Sequence, residues 1–72
     1  MDYKSDVADY DLIFGIEKPL AYGVFCTDAA YKKNAIIWFP KSQVEWVAGS
    51  CIRGRTCTLT IPEWLAEKHD LL

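Results

Sequence analysis

The chain has 72 residues and a mass of 8.2 kDa; 51% of it is apolar, 14% is aromatic, and the formal net charge is −2. That is room for one small domain. The apolar share excludes an intrinsically disordered chain, the weakly acidic balance excludes a dedicated polycation, and no apolar run reaches the roughly 20 residues of a membrane span.

Residues 1–11 lack a clean period and are polar and acidic, so they do not read as a signal peptide. Asp2, Asp6, Asp9, Asp11 and Glu17 stand against Lys4 in the first 17 residues, a net of −4, while residues 18–72 carry a net of +2. A division is therefore expected between an acidic, partly ordered leader at 1–17 and a single α+β domain at 18–72. Residues 11–16 are apolar but interrupted by Gly15, an edge strand or one helical turn. Pro19 precedes a β-branched and aromatic strand at 20–27. Residues 28–34 read as a loop carrying a short helical turn. The continuous apolar run at 35–40 ends at Pro40 and is expected to be a strand buried on both faces.

After a turn at Lys41 and Ser42, residues 43–48 alternate in the manner of a strand. Arg53-Gly54-Arg55 marks a hairpin tip, with Gly54 free to take positive φ. Residues 56–61 alternate most cleanly, placing Cys57, Leu59 and Ile61 inward and three threonines outward. From Pro62 to about residue 70 the period becomes helical, and Thr60 and Glu63 have capping-box spacing. Trp64 and Leu65 of this helix are expected to be buried against the sheet. The fold class is thus α+β: a small antiparallel sheet of three to four strands with one C-terminal helix on one side. The other side is expected to be covered by the leader, by a curl into a small barrel, or by a second copy in a homodimer.

Three cysteines are too few and too odd for a disulfide scaffold and point to free thiols in a reducing, cytoplasmic setting. Cys26, Cys51, Cys57 and His69 would complete a Cys3His set, but the tight cysteine pairs of structural zinc sites are missing. No metal or other cofactor is expected. A lone histidine in a terminal helix with no marked partner, and acids confined to the leader, do not predict an enzyme.

Two binding readings remain. Trp38 and Trp46 among Lys and Arg residues resemble a small barrel that stacks single-stranded nucleic acid, although the charge balance is weak for a phosphate-tracking groove. The abundance of Trp, Tyr and Arg instead fits a protein-docking module. Its candidate contact residues are Tyr10, Phe14, Tyr31, Lys32, Lys33, Lys41, Arg53 and Arg55, with Tyr3 as a further aromatic anchor.

The stretch Trp38-Phe39-Pro40-Lys41-Ser42-Gln43-Val44, followed by Ile61-Pro62-Glu63-Trp64-Leu65-Ala66, resembles a group of small proteins encoded by bacteriophages and bacterial mobile elements. The resemblance spans roughly residues 19–70. It implies an accessory protein in the host cytoplasm, acting stoichiometrically on a host protein or a defence complex, anti-CRISPR inhibition included, or on single-stranded nucleic acid. It implies no catalytic residues.

Overall fold

A computed structural model describes residues 7–69 and residue 71. The readings made above for Asp2, Tyr3, Lys4, Asp6 and residue 70 lie outside them. The element order is β1 (Val7–Glu17), β2 (Ala21–Phe25), α1 (Asp28–Lys32), β3 (Ile37–Pro40), β4 (Glu45–Gly49), β5 (Thr56–Pro62) and α2 (Glu63–Lys68). The sheet has five strands, not three or four, in the order β3-β2-β1-β5-β4, with every neighbouring pair antiparallel.

The segment read as the end of an acidic leader is the central strand, so the chain has no boundary at Glu17. The reason is visible in the pairing. Asp9, Asp11 and Ile13 lie opposite Thr60, Thr58 and Thr56 of β5, while Tyr10 and Leu12 lie opposite Leu59 and Cys57. Paired residues share a face and successive residues alternate faces. One face of β1 is therefore aromatic and aliphatic, and the other carries two carboxylates that bond across the sheet. The Thr58 hydroxyl donates to Asp11 Oδ1 at 2.7 Å, and the Thr60 hydroxyl donates to Asp9 Oδ1 at 2.6 Å.

The core lies on the first face. Leu12, Phe14, Val24, Phe39, Cys57, Leu59 and Ile61 are joined there by Leu65 and Ala66 of α2, with Tyr10, Tyr22, Ile37, Val44, Trp46 and Leu71 packed around them. Cys57, Leu59 and Ile61 point inward as their alternation implies. Trp46 sits edge-on to Phe14 with ring centroids 5.8 Å apart. The capping box does not form: Pro62 is the N-cap of α2, in extended backbone, and the Thr60 hydroxyl is committed to Asp9. Only half of the expectation for the helix holds, because Leu65 is buried while Trp64 is 52% exposed.

Two further expectations are corrected. The run ending at Pro40 forms an edge strand, not one covered on both faces: Phe39 is buried, but Trp38 opposite Gly23 is 42% exposed on the other face. The sheet is also open, with β3 and β4 as its two edges; it curves so far that Trp46 of β4 meets Tyr22 of β2 with ring centroids 5.3 Å apart, but it does not close into a barrel. The apolar face is covered by α2 together with the meeting of Trp46 and Tyr22, while the opposite face is polar beside β5 and apolar beside β2 and β3. Both edges are short. The Lys41 N–H donates to the Leu20 carbonyl, so by alternation the outward backbone groups of β3 belong to Trp38 and Pro40, and Pro40 has no N–H to offer. β4 is bulged between Trp46 and Ala48. No helix among the described residues is long and apolar enough to cross a membrane.

Leu65 is the main side chain that α2 inserts into the core. Leu65→Ala is expected to cost about 2–5 kcal/mol in urea unfolding, as for other buried leucines. Trp64→Ala is expected to cost less than half as much as Leu65→Ala in the same measurement.

Candidate functional site

The open face of the sheet is divided by residue type. On the β5 side it carries Asp9 and Asp11 bonded to their threonines, with Glu45 opposite Thr60. On the β2–β3 side it is apolar, and two glycines explain why. A Cβ on Gly23 would lie 2.7 Å from Ile36 Cδ1, 3.0 Å from Trp38 Cζ3 and 3.1 Å from Ile16 Cγ2. A Cβ on Gly15 would lie 2.8 Å from the Gly23 carbonyl oxygen, 3.0 Å from Phe25 Cε2 and 3.1 Å from Ile36 Cδ1. The bare backbone lets these side chains lie flat on the sheet. The result is a strip from Phe25 through Ile36 to Trp38 and Ile16, whose last two members are about 40% exposed.

The strip ends at α1 and the β4–β5 loop, and several sequence-predicted residues meet there. Thr27 caps α1 by accepting from the Ala30 N–H at 3.0 Å. The helix closes in a Schellman arrangement: the Asn34 N–H donates to the Tyr31 carbonyl and the Ala35 N–H to the Ala30 carbonyl. Asn34 takes φ +58°, the left-handed conformation that this closure requires and that asparagine tolerates. Its side chain then accepts from Arg53, Nη2 to Oδ1, at 3.0 Å.

The Arg53 guanidinium carbon lies 5.2 Å from the Phe25 ring centre and 5.7 Å from that of Tyr31. The two rings meet edge to face at 5.2 Å. Gly54, at φ +89°, turns the loop so closely against Tyr31 that a Cβ there would lie 3.0 Å from the phenol oxygen. The loop is anchored to the sheet from below: the Phe14 N–H donates to the Arg55 carbonyl, and the Gly54 N–H donates to the Phe14 carbonyl. Lys32, Lys33 and Arg55 are exposed around this cluster, and none of the four cations forms an ion pair among the described residues.

Five of the eight sequence-predicted contact residues, Tyr31, Lys32, Lys33, Arg53 and Arg55, are thus carried by α1 and the β4–β5 loop, which meet beside the middle of β1. The other three are not. Phe14 is only 4% exposed and belongs to the core, because the alternation of β1 turns it inward; it is unavailable as an anchor. Tyr10 is half-buried against the core opposite Leu59. Lys41 lies at the other end of β3, paired with Glu17 and 5.0 Å from the Tyr22 ring centre. Sequence reasoning missed Asn34 and Ile36. For Asn34 the available signal was an asparagine just beyond a helical turn; Ile36 was hidden in a run taken whole as core.

The residues considered for chemistry are dispersed. His69 packs edge-on to Phe39 at 5.1 Å. Cys51 is exposed, Cys26 half-buried and Cys57 buried, and all are free thiols. Among the described residues, no three His, Cys, Asp or Glu side chains gather as a metal set would. A shallow groove of about 360 Å³ lies between β4 and the start of β1, lined by residues that include Val7, Gln43, Val44 and Thr60, and among the described residues Glu45 is its one charged residue. Compared with known proteins, the chain matches no family model, no curated protein and no solved structure.

Burial raises the Cys26 thiol above its ordinary value. Cys57 is pushed up from 9.0 to about 11, first by burial and then by the nearby Cys51 and Asp11. The folded protein therefore keeps the Cys57 proton in a range where the unfolded chain has lost it. This contribution to stability is complete below pH 9 and disappears as pH rises towards 11. Thermal melts from pH 8 to 10.5 are expected to fall more steeply for the native chain than for Cys57→Ala. At pH 8, iodoacetamide is expected to modify Cys51 first and Cys57 only after unfolding.

Proposed function

We propose that the chain is a non-enzymatic binding module that acts by stoichiometric docking on another protein. The observation that supports this most is the surface around Arg53. An arginine, a tyrosine and a tryptophan, the side chains that dominate interface energetics, are exposed on neighbouring elements and joined by an apolar strip. The guanidinium is held in place before any partner arrives, which lowers the ordering cost of docking. The resemblance to phage and mobile-element proteins makes a host protein or a defence complex in the cytoplasm the proposed target, with inhibition as the consequence of occupancy.

Single-stranded nucleic acid is the second reading, favoured by exposed Trp38 beside the basic cluster. Against it stand three observations. Trp46 packs on Phe14 and Tyr22 instead of standing free. Lys41 is engaged by Glu17. Asp9 and Asp11 occupy the same open face as Trp38, where a phosphate chain crossing the sheet would meet like charge.

The purified chain, immobilised and exposed to host lysate, is expected to retain one protein in a fixed molar ratio. A Trp38→Ala/Arg53→Glu variant with an unchanged circular dichroism spectrum is expected to lose it. Retention of nucleic acid alone, with affinity falling steeply in salt, would replace this reading with the second one.

A further inference from the structure

The docking surface has a charge preference of its own. Lys32 and Lys33 follow Tyr31 at the end of α1, Arg53 and Arg55 flank Gly54 in the loop that turns against Tyr31, and the acidic residue of that helix is Asp28, in its first turn. Lys32, Lys33 and Arg55 are exposed, with no ion pair among the described residues. Arg53 is held in place, because its guanidinium is fixed on one side by Asn34 Oδ1 and rests against the Phe25 and Tyr31 rings. A guanidinium has five N–H donors in a planar fork, and Asn34 accepts one of them. The side chain is exposed, so the remaining donors are available to a ligand. A planar fork held in one orientation matches a carboxylate with two parallel hydrogen bonds.

Resting on the docking reading above, we propose that Asn34, Phe25 and Tyr31 hold Arg53 as a preset seat for a carboxylate of the partner, and that the partner segment bound there is an acidic peptide. Lys32, Lys33 and Arg55 draw the segment in, and Arg53 fixes its register. Asn34 is a positioning residue: it acts on the ligand only through Arg53. The extent of the site favours a peptide over a nucleic acid strand. The cations are confined to α1 and the β4–β5 loop, beside the middle of β1, and from there the open face turns acidic at Asp11 and Asp9, so a phosphate backbone has no positive track to follow along that half of the sheet. A peptide can place acids on these cations and an apolar residue against Ile36 and Trp38.

Asn34 offers a test that separates positioning from folding. Glycine is the residue best suited to the left-handed position after a helix, so Asn34→Gly keeps the Schellman closure and removes the side chain whose Oδ1 holds Arg53. The probes are a synthetic octapeptide of Glu and Asp and an oligothymidylate of equal charge, titrated calorimetrically against the full chain. The native chain is expected to bind the peptide more tightly than the oligonucleotide. Asn34→Gly is expected to keep its thermal midpoint yet bind the peptide about fivefold more weakly, the scale of re-imposing order on one long side chain. Arg53→Lys should weaken binding at least as much despite its conserved charge, and Arg53→Glu should abolish it. Lys18→Glu, the same charge change in the β1–β2 turn, should have little effect.

Equal binding by Asn34→Gly, Arg53→Lys and the native chain would overturn the proposal. So would losses in Lys18→Glu matching those in Arg53→Glu, or tighter binding of the oligonucleotide. The lysate experiment keeps the two readings distinct. A captured protein indifferent to Asn34→Gly and Arg53→Lys would leave the docking reading standing and remove the carboxylate seat. Peptide binding with the expected variant losses, but no captured protein, would support the seat and remove the docking reading.

Discussion

The fold depends on a charged strand occupying the middle of a sheet. β1 pairs on both sides, and without it β2–β3 and β4–β5 would be two separate hairpin-like pairs, neither stable alone. What makes the placement tolerable is that Asp9 and Asp11 lie on the face that stays wet and each accepts a hydroxyl from the strand beside it. Exposed hydrogen bonds of this kind contribute little each, about 1 kcal/mol. Their larger effect is on register. A slip of one residue would drive both carboxylates into the core and turn Tyr10, Leu12 and Phe14 outward, a cost of several kcal/mol from unpaired buried charge alone.

The candidate site is a consequence of that topology. α1 follows β2 on one side of β1, and the β4–β5 loop precedes β5 on the other. Because both partners run antiparallel to β1, the end of β2 and the start of β5 meet at the same level, beside the middle of the central strand, where Ile13 lies opposite Phe25 and Thr56. Phe14 links the levels: its ring supports the core while its backbone N–H and C=O hold Arg55 and Gly54. Arg53 and Asn34, 19 residues apart, meet because β1 brings their loops together. The site's geometry is thus set by the most strongly constrained part of the chain.

The sequence made β5, the Gly54 turn and the C-terminal helix legible, because each carries a local signal: alternation in Cys57, Leu59 and Ile61, a glycine between two arginines, and a proline at a change of period. β1 is obscured because Asp9 and Asp11 weigh as charge and not as members of a period-two pattern with Tyr10 and Leu12; the alternation is present, but the hydroxyls that bond the two carboxylates are 47 and 51 residues away. Residues 36–40 misled in the opposite sense. A continuous apolar run fits a strand buried on both faces, yet it fits equally an edge strand whose second face is itself a contact surface, and composition does not separate the two. The cationic residues of the site were readable as types, whereas the fixing of Arg53 by Asn34 was not, since it requires a left-handed residue and a tertiary contact together.

The distribution of charge on the finished molecule gives the docking surface a direction. Asp9, Asp11 and Glu45 lie on the β5 side of the open face, and Lys32, Lys33, Arg53 and Arg55 are carried by α1 and the β4–β5 loop, with Ile16, Ile36 and Trp38 beside them. A uniformly basic patch would attract any acidic surface in any orientation. Here a partner turned the wrong way would bring its acids against the carboxylates, and like charge at close range costs more than an exposed pair returns. The apolar strip contributes area without direction, the charges contribute direction with little area, and the fixed guanidinium joins the two at one point. A net charge of only −2 on the whole chain conceals this, because the two opposed fields cancel in the sum while remaining separate in space.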